Sequence, residues 1–537
     1  TEVSGVVIGQ GNVDSDDTGI APGAGVVFAT LDNLNLGFGA AGQQDAALRV
    51  QSVAQQADTP VINMSWGFFT TKTTVVPTDG TTLVTRAIDW EATRYDKLMV
   101  VAGNEGSAGA PSDSYNSINV ASTGAIVGGM LNYGVASPYN TSNITTDISP
   151  FTGYGRIKTD IIAPGGDPGP GAQALGTFNA QPAYDNQFLS TAGGQYEYDH
   201  SDAGGVPFYN QDSMDGNVTS HASASASDNK MPFIAGPPYA PTNPGANLGG
   251  TDFVETTTIA GTSFAAPLVS GASTLLYQES SLMIGGSSDH RLMKALLLNG
   301  ASHTYNNLPL VRADGVTPWT RLPGASTKSA LLGFSAAQYN NALPKIRPGL
   351  DPQLGTGMLN IPASLANLDA GEQGYNQNVA PTGWDINTVL AGTLANTLTN
   401  FYQFDAPYGG TFSATLCWDD PVSITNPGAN NSYQGASTLT RNMLTDLDLY
   451  LFKLTPSGST IIYDYSTSDI DNVEYLYDTL TPGSYDIIVA NASYAAPSDT
   501  TFALAWMTVP EPAALAWLAM AIPLLKRRAT RAARPAA

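Results

Sequence analysis

Through its first third the chain alternates short apolar runs with stretches whose apolar residues recur at helical spacing. Val26 to Leu31, Val61 to Met64 and Leu98 to Ala102 read as strands, and Ser117 to Ser122 continues the same sheet. Between them, Gln43 to Gln56 places Ala47, Val50 and Ala54 on one face. Thr81 to Tyr95 carries Leu83, Ala87, Ile88 and Trp90 as its apolar positions. Such strand–helix–strand alternation predicts a parallel sheet covered by helices, with right-handed crossovers. Phe264 to Tyr277 and Arg291 to Asn299 read as two further helices. From about Thr388 the pattern changes to short alternating strands, among them Phe412 to Trp418, Leu447 to Leu454 and Tyr485 to Ala490. Gly, Pro, Asn and Asp punctuate them, which predicts an antiparallel β-sandwich. The expected fold class is therefore α/β, a parallel sheet flanked by helices over residues 1–366, followed by a β-sandwich over 385–508 and a tail over 509–537.

Composition narrows the function classes. The 537 residues carry a net charge of −23, which disfavours nucleic acid or an anionic membrane as partner of the main body. The chain is poor in Lys and rich in Gly, Ala, Thr, Ser and Asn, which suits a secreted protein. Cys417 is the only cysteine, so no intrachain disulfide exists; within the apolar run Ala414 to Trp418 it reads as a buried small hydrophobe. Between Asp167 and Thr251 the sequence shifts to Gly, Pro, Ser, Asn and Tyr, an insertion too long to lack all structure.

Three segments carry candidate chemistry. Gly261-Thr262-Ser263-Phe264-Ala265-Ala266-Pro267 opens a small, apolar helix. Ser263 there is either an N-cap or a nucleophile whose neighbouring N–H groups face a developing oxyanion. Pro267 falls early, where a missing N–H costs little. A serine nucleophile needs a base, and the base an orienting acid. Val100-Val101-Ala102-Gly103-Asn104-Glu105-Gly106 is an apolar strand ending in a Gly-Asn turn, and Pro60 to Gly67 a strand running into Ser65-Trp66-Gly67. Asp446 and Asp448, two apart on one predicted strand face, either form a solvated acidic face or hold a hard cation such as calcium.

The three segments from Pro60, Val100 and Gly261, in their order along the chain, resemble the subtilase family of subtilisin-like serine peptidases. The resemblance implies a subtilisin-like fold and peptide-bond cleavage by acyl transfer without a catalytic cofactor. Ser263 then matches the nucleophile, and Asn104 the side-chain amide that, with the Ser263 N–H, holds the oxyanion. Ser65, Trp66 and Gly67, with Ala102 and Gly103, match the segments that receive extended substrate. Thr1 to Val7 resembles the tail of the family's histidine motif, His-(Gly/Ala)-Thr-x-x-(Ala/Ser)-Gly. On that alignment the histidine lies two residues before Thr1 and the aspartate further upstream, and residues 1–537 alone are expected to be inactive. The four histidines present, His200, His221, His290 and His303, stand in no such motif. The alternative is a catalytically inactive subtilase-fold surface protein that binds peptide or polysaccharide.

Phe151 to Gly155, Ile161 to Gly165 and Leu354 to Asn360 resemble further subtilase landmarks. Leu416 to Pro421, Thr445 to Tyr450 and Asp471 to Glu474 resemble the jelly-roll domain that follows the catalytic domain in one subtilase branch, with structural calcium possible at Asp446 and Asp448. At the C-terminus, Val509-Pro510-Glu511-Pro512, an apolar run from Ala513 to Leu525, and Lys526, Arg527, Arg528, Arg531 and Arg534 resemble a PEP-CTERM sorting signal. In Gram-negative bacteria such a tail is processed by an exosortase on exported surface or extracellular proteins. The apolar run rises only about 20 Å as a helix, short of the ~20 residues a bilayer needs, which suits transient membrane association.

Overall fold

The computed structural model describes residues 2–9, 19–29, 38–68, 76–103, 109–127, 130–137, 144–148, 155–165, 233–235, 253–255, 261–324, 345–390, 397–492 and 499–510. The first part is an α/β layer structure. Strands β1 (Val61–Met64), β2 (Leu98–Ala102), β3 (Ser117–Val127) and β5 (Ile161–Pro164) pair in that order, all parallel, and β4 (Met130–Ala136) adds an antiparallel hairpin to the far end of β3. Helices α2 (Ala40–Ala54) and α3 (Leu83–Tyr95) cover one face. On the other lie α1 (Glu2–Ile8), α4 (Thr262–Leu282) and α5 (His290–Asn299).

The two-residue period of β2 shows why the sheet is buried on both sides. Leu98, Val100 and Ala102 enter the core under α4 and α5, while Met99 and Val101 enter the one under α2 and α3. The α3 start is set by Thr82, whose hydroxyl accepts from the Thr85 N–H; its end is set by Asp96, in a left-handed conformation.

The described part of the expected strand Val26 to Leu31 is not a strand. Residues 26–29 join no ladder, and Val27 and Phe28 are 52% and 69% exposed. Among the described residues β1 pairs only with β2, so apolar composition alone gives 26–29 no partner to hydrogen-bond. Most of the insertion at 167–251 lies outside the described residues; within and just beyond it, Phe233–Ala235 pairs antiparallel with Phe253–Glu255.

The second part is a two-sheet sandwich. Strand β6 (Gly383–Val389), β15 (Thr500–Val509), β8 (Gly410–Trp418) and β13 (Val473–Leu480) form one sheet in that order. The other contains a short strand at Gln377–Asn378, then β7 (Thr397–Ala406), β14 (Gly483–Asn491), β11 (Leu447–Leu454) and β12 (Thr460–Ser466). Inward residues such as Phe404, Phe412, Leu449, Ile487 and Trp506 fill the space between the sheets. A hairpin, β9 (Val422–Thr425) with β10 (Thr438–Arg441), reaches back over α2 and α3.

The two parts share one core. Helix α5 is buried along its length except at Arg291, because it lies between the parallel sheet and the first sandwich sheet. Leu292 to Leu298 pack in the same cluster as Val100 and Ile118 on one side and Trp384, Cys417, Tyr475 and Ala505 on the other. Cys417 is buried, and burial pushes its thiol up to about 12, so it behaves as an inert hydrophobe. Among the described residues no helix is long and apolar enough to cross a membrane, and residues 511–537 lie outside them.

Candidate active site

The carboxyl ends of β1, β2 and β5 and the N-terminus of α4 meet at one rim of the sheet, where open parallel sheets bind ligands. Gly261 makes the meeting possible. Its φ of 146° and ψ of 166° lie in a region essentially reserved for glycine, and its N–H donates to the Gly165 carbonyl at 2.6 Å. A Cβ on Gly165 would sit 2.6 Å from the Gly261 carbonyl oxygen and 2.8 Å from Ser122 Cβ. Two glycines therefore bring β5 and α4 into direct backbone contact, and Ser263 follows at once, half-buried in the first turn of α4. The Phe264 N–H donates to the Gly261 carbonyl at 3.0 Å, and the first turn carries the positive end of the helix dipole.

Pro267 does not occupy the expected early position. Helix α4 begins at Thr262, so Pro267 falls in the second turn, inside the helix. The N–H it lacks is the one that would bond to the Ser263 carbonyl four residues back. That carbonyl is instead taken by the Ser65 hydroxyl, which donates to it at 2.9 Å. Ser65 in turn accepts from the Asn63 side-chain amide at 3.0 Å, and Asn63 Oδ1 accepts from the Ser270 hydroxyl at 2.9 Å. The structure thus brings Ser65 and Ser263 together across 198 residues of sequence. Asn63 and Ser270 belong to the same set and escaped the sequence reading; the readable signal was the proline four residues after Ser263.

The other candidates sit as follows. Ala102 ends β2 and is buried, and the Gly103 N–H donates to the Val120 carbonyl at 2.7 Å. A Cβ on Gly103 would come within 2.7 Å of Asn119 Oδ1, so only glycine fits. Asn104 lies outside the described residues, as do His200 and His221. The half-buried Trp66 ring meets Phe68 edge-on at 6.0 Å, and the Phe68 N–H donates to the Ala110 carbonyl at 2.6 Å. Asp446 precedes β11 rather than sharing its face with Asp448. Asp448 is fully buried, not solvated, and its carboxylate accepts from the Tyr450 hydroxyl at 2.8 Å.

Neither described histidine is available to Ser263. His290, at the start of α5, is held between Asp96 at 2.7 Å and Asp419 at 3.0 Å. Asp96, with Asp289, also acts on Tyr277, which lies fourteen residues and a rise of about 20 Å beyond Ser263 on α4, so His290 lies toward the opposite end of that helix. Burial alone would lower the His290 pKa, but Asp419 and Asp96 outweigh it and raise it to about 9. The imidazolium, with Arg291 beside Asp289 and Asp419, supplies the positive charge that this acidic cluster needs. His303 is the reverse case. Its ring is stacked on Trp319 at 4.0 Å, its Nε2 meets the Thr356 carbonyl at 2.8 Å, and burial lowers its pKa to about 3.

The raised His290 pKa has a sign that can be checked. The stabilisation it reports is fully present below the ordinary pKa of 6.5 and is lost as pH rises through about 9. We expect roughly 3 kcal/mol to disappear across that window. His290→Gln should flatten this part of the stability profile, measured by denaturant unfolding at pH 6 and pH 9.5. An unchanged slope in the variant would place the titration elsewhere.

Residues 1–229 match the model of the subtilase family. The matched stretch is less than half of the 537 residues and stops before Gly261. Among solved structures, the patellamide maturation protease PatA is 15% identical, with a TM-score of 0.33, over 69% of this chain and 83% of its own. A protease from Pseudoalteromonas arctica PAMC 21717 is 16% identical, with a TM-score of 0.32, over 68% of this chain and 70% of its own. A lanthipeptide protease is 14% identical, with a TM-score of 0.32, over 68% and 74%. TM-scores of this size describe a distant likeness. No curated protein sequence matches.

Proposed function

We propose that this chain belongs to a serine endopeptidase that cleaves peptide bonds by acyl transfer, with Ser263 as nucleophile. The observation that carries the reading is the placement of Ser263: first turn of α4, at the carboxyl rim of a parallel sheet, with its backbone tied to the segment after β1. The Ser263 N–H, at the positive end of α4, and the Asn104 side-chain amide would hold the oxyanion of the tetrahedral intermediate. Ser65-Trp66-Gly67 and Ala102-Gly103 would receive extended peptide as an added strand. The subtilase match over 1–229 supports the same class independently of the serine motif.

The base on this reading is the histidine whose motif ends in Thr1 to Val7, supplied by the protein upstream of Thr1. Residues 1–537 alone should then hydrolyse a peptide substrate at no more than the residual rate left by binding and an oxyanion hole, and the full coding region should restore turnover. Turnover by 1–537 near the full-length rate would refute that assignment. The rival, an inactive surface protein that binds peptide or polysaccharide, draws on one observation: His290 and His303 are both committed elsewhere. Export, with the tail at 509–537 cut by an exosortase-like enzyme after transient membrane association, completes the proposal. A mature protein found outside the cell and lacking the basic C-terminal residues would support it; an intact cytoplasmic protein would refute it.

A further inference from the structure

We propose that Ser270, Asn63 and Ser65 form a one-way hydrogen-bonded strap that positions the nucleophile, and that Pro267 is what leaves its last link open. The inference rests on the peptidase reading and deepens it, since these are positioning residues for the same site.

The direction of the two bonds at Ser65 is fixed by the chemistry of the groups. The Ser270 hydroxyl reaches Asn63 Oδ1 at 2.9 Å, closer than its own-helix alternative, the Ala266 carbonyl at 3.2 Å; the Asn63 amide donates to the Ser65 hydroxyl oxygen at 3.0 Å, and the Ser65 hydroxyl donates to the Ser263 carbonyl at 2.9 Å. Each hydroxyl has a single proton, so Ser65 can receive from Asn63 and still give to Ser263. Such a chain polarises itself in one sense and strengthens its terminal bond. Ser263 and Ser270 are seven apart on α4 and share a face, and Ser65 follows directly on β1, within hydrogen-bond reach of Asn63.

The terminal acceptor is open because of the sequence of the helix itself. In an unbroken helix the Ser263 carbonyl would be bonded by the N–H of residue 267, and proline has none. The strap thus occupies a position that the helix cannot satisfy, and couples the nucleophile's own peptide unit to the segment where the substrate strand would lie. A misplacement of about 1 Å at a reacting atom can cost a hundredfold in rate, so a fixed carbonyl on Ser263 also fixes its N–H neighbour and its side-chain origin.

The test uses protein from the full coding region, with a fluorophosphonate probe and a chromogenic peptide. Ser65→Ala should lower kcat and the rate of Ser263 labelling roughly tenfold, the cost of one lost hydrogen bond to a part-buried carbonyl, with KM within about twofold. Ser65→Thr, which keeps the hydroxyl, should restore the rate. Pro267→Ala added to Ser65→Ala should recover most of it, because the new amide N–H can take the Ser263 carbonyl; a merely structural role for Ser65 predicts no such rescue. Asn63→Leu, tested with a thermal melt to confirm folding, should also lower kcat more than it alters KM. Wild-type labelling with Ser65→Ala unaffected, or no rescue by Pro267→Ala, overturns the strap and leaves the peptidase reading standing. Absence of labelling at Ser263 in the wild-type protein overturns that reading and the strap with it.

Discussion

Ser263→Ala in the full-length protein is expected to abolish peptide hydrolysis, with a loss in kcat on the order of 10⁶-fold, the size of the effect when subtilisin itself loses its nucleophile. The expectation follows from place as well as residue type. A serine in the first turn of α4, half-exposed at the sheet rim beside the Gly165–Gly261 contact, sits at the positive end of the helix dipole. The same substitution in a peptide-binding protein would leave affinity within a small factor, so the measurement separates the two readings by several orders of magnitude. Folding is not at risk, because removing one half-exposed hydroxyl deletes little packing.

Asp89→Ala should be the most destabilising single change at the junction of the two parts, by about 3–5 kcal/mol. Asp89, wholly buried on α3, accepts on Oδ1 from Ser114 Oγ, the Tyr115 N–H and the Asn116 N–H at 2.6, 2.8 and 2.8 Å, and on Oδ2 from Arg441 at 2.7 Å. Arg441 comes from β10 of the sandwich, also bonds Asp420, and lies over one face of the Tyr115 ring at 4.1 Å, while Arg156 lies 3.2 Å from the ring centroid. Arg156 pairs with Asp471 at 3.4 Å, and Asn116 exchanges hydrogen bonds with the backbone of Asp420. Loss of one carboxylate strands three donors in the interior and leaves Arg441 with Asp420 as its remaining carboxylate partner, and each unpaired buried group is costly. The half-exposed Asp45–Arg49 pair on α2 is the control: Asp45→Ala should cost under about 1 kcal/mol. Chemical denaturation of both variants decides the matter, and equal small losses would mean that the buried cluster contributes nothing net.

This cluster also gives the sandwich a mechanical role. It clamps residues 113–116, which lead into the amino end of β3.

Much of this was legible in the chain because local pattern and final environment agree. Val61–Met64 and Leu447–Leu454 are short apolar runs bounded by polar or turn residues, and both strands form with those bounds. Where pattern and partner separate, the sequence misleads. Val26 to Phe28 has the composition of a strand and no described neighbour to pair with. Asp448 looks like a surface carboxylate and is buried with the Tyr450 hydroxyl on its oxygen. The contacts that join the two parts were out of reach for a different reason. Asp89 and Arg441 lie 352 residues apart, and nothing in either local stretch announces the other. Likewise α5 reads as an ordinary amphipathic helix, and only the packing of the sandwich against its second face explains why nearly all of it is buried. Pro267 was visible but misjudged, because its meaning depended on where the helix begins.

The central claim is that Ser263 is an activated nucleophile. Its most direct test is mass-spectrometric mapping of protein from the full coding region after reaction with a fluorophosphonate. One adduct, on the peptide containing Ser263 and absent after Ser263→Ala, is the result predicted. An unmodified Ser263, or an adduct on another serine, would contradict the account and leave the α4 N-terminus as a structural turn.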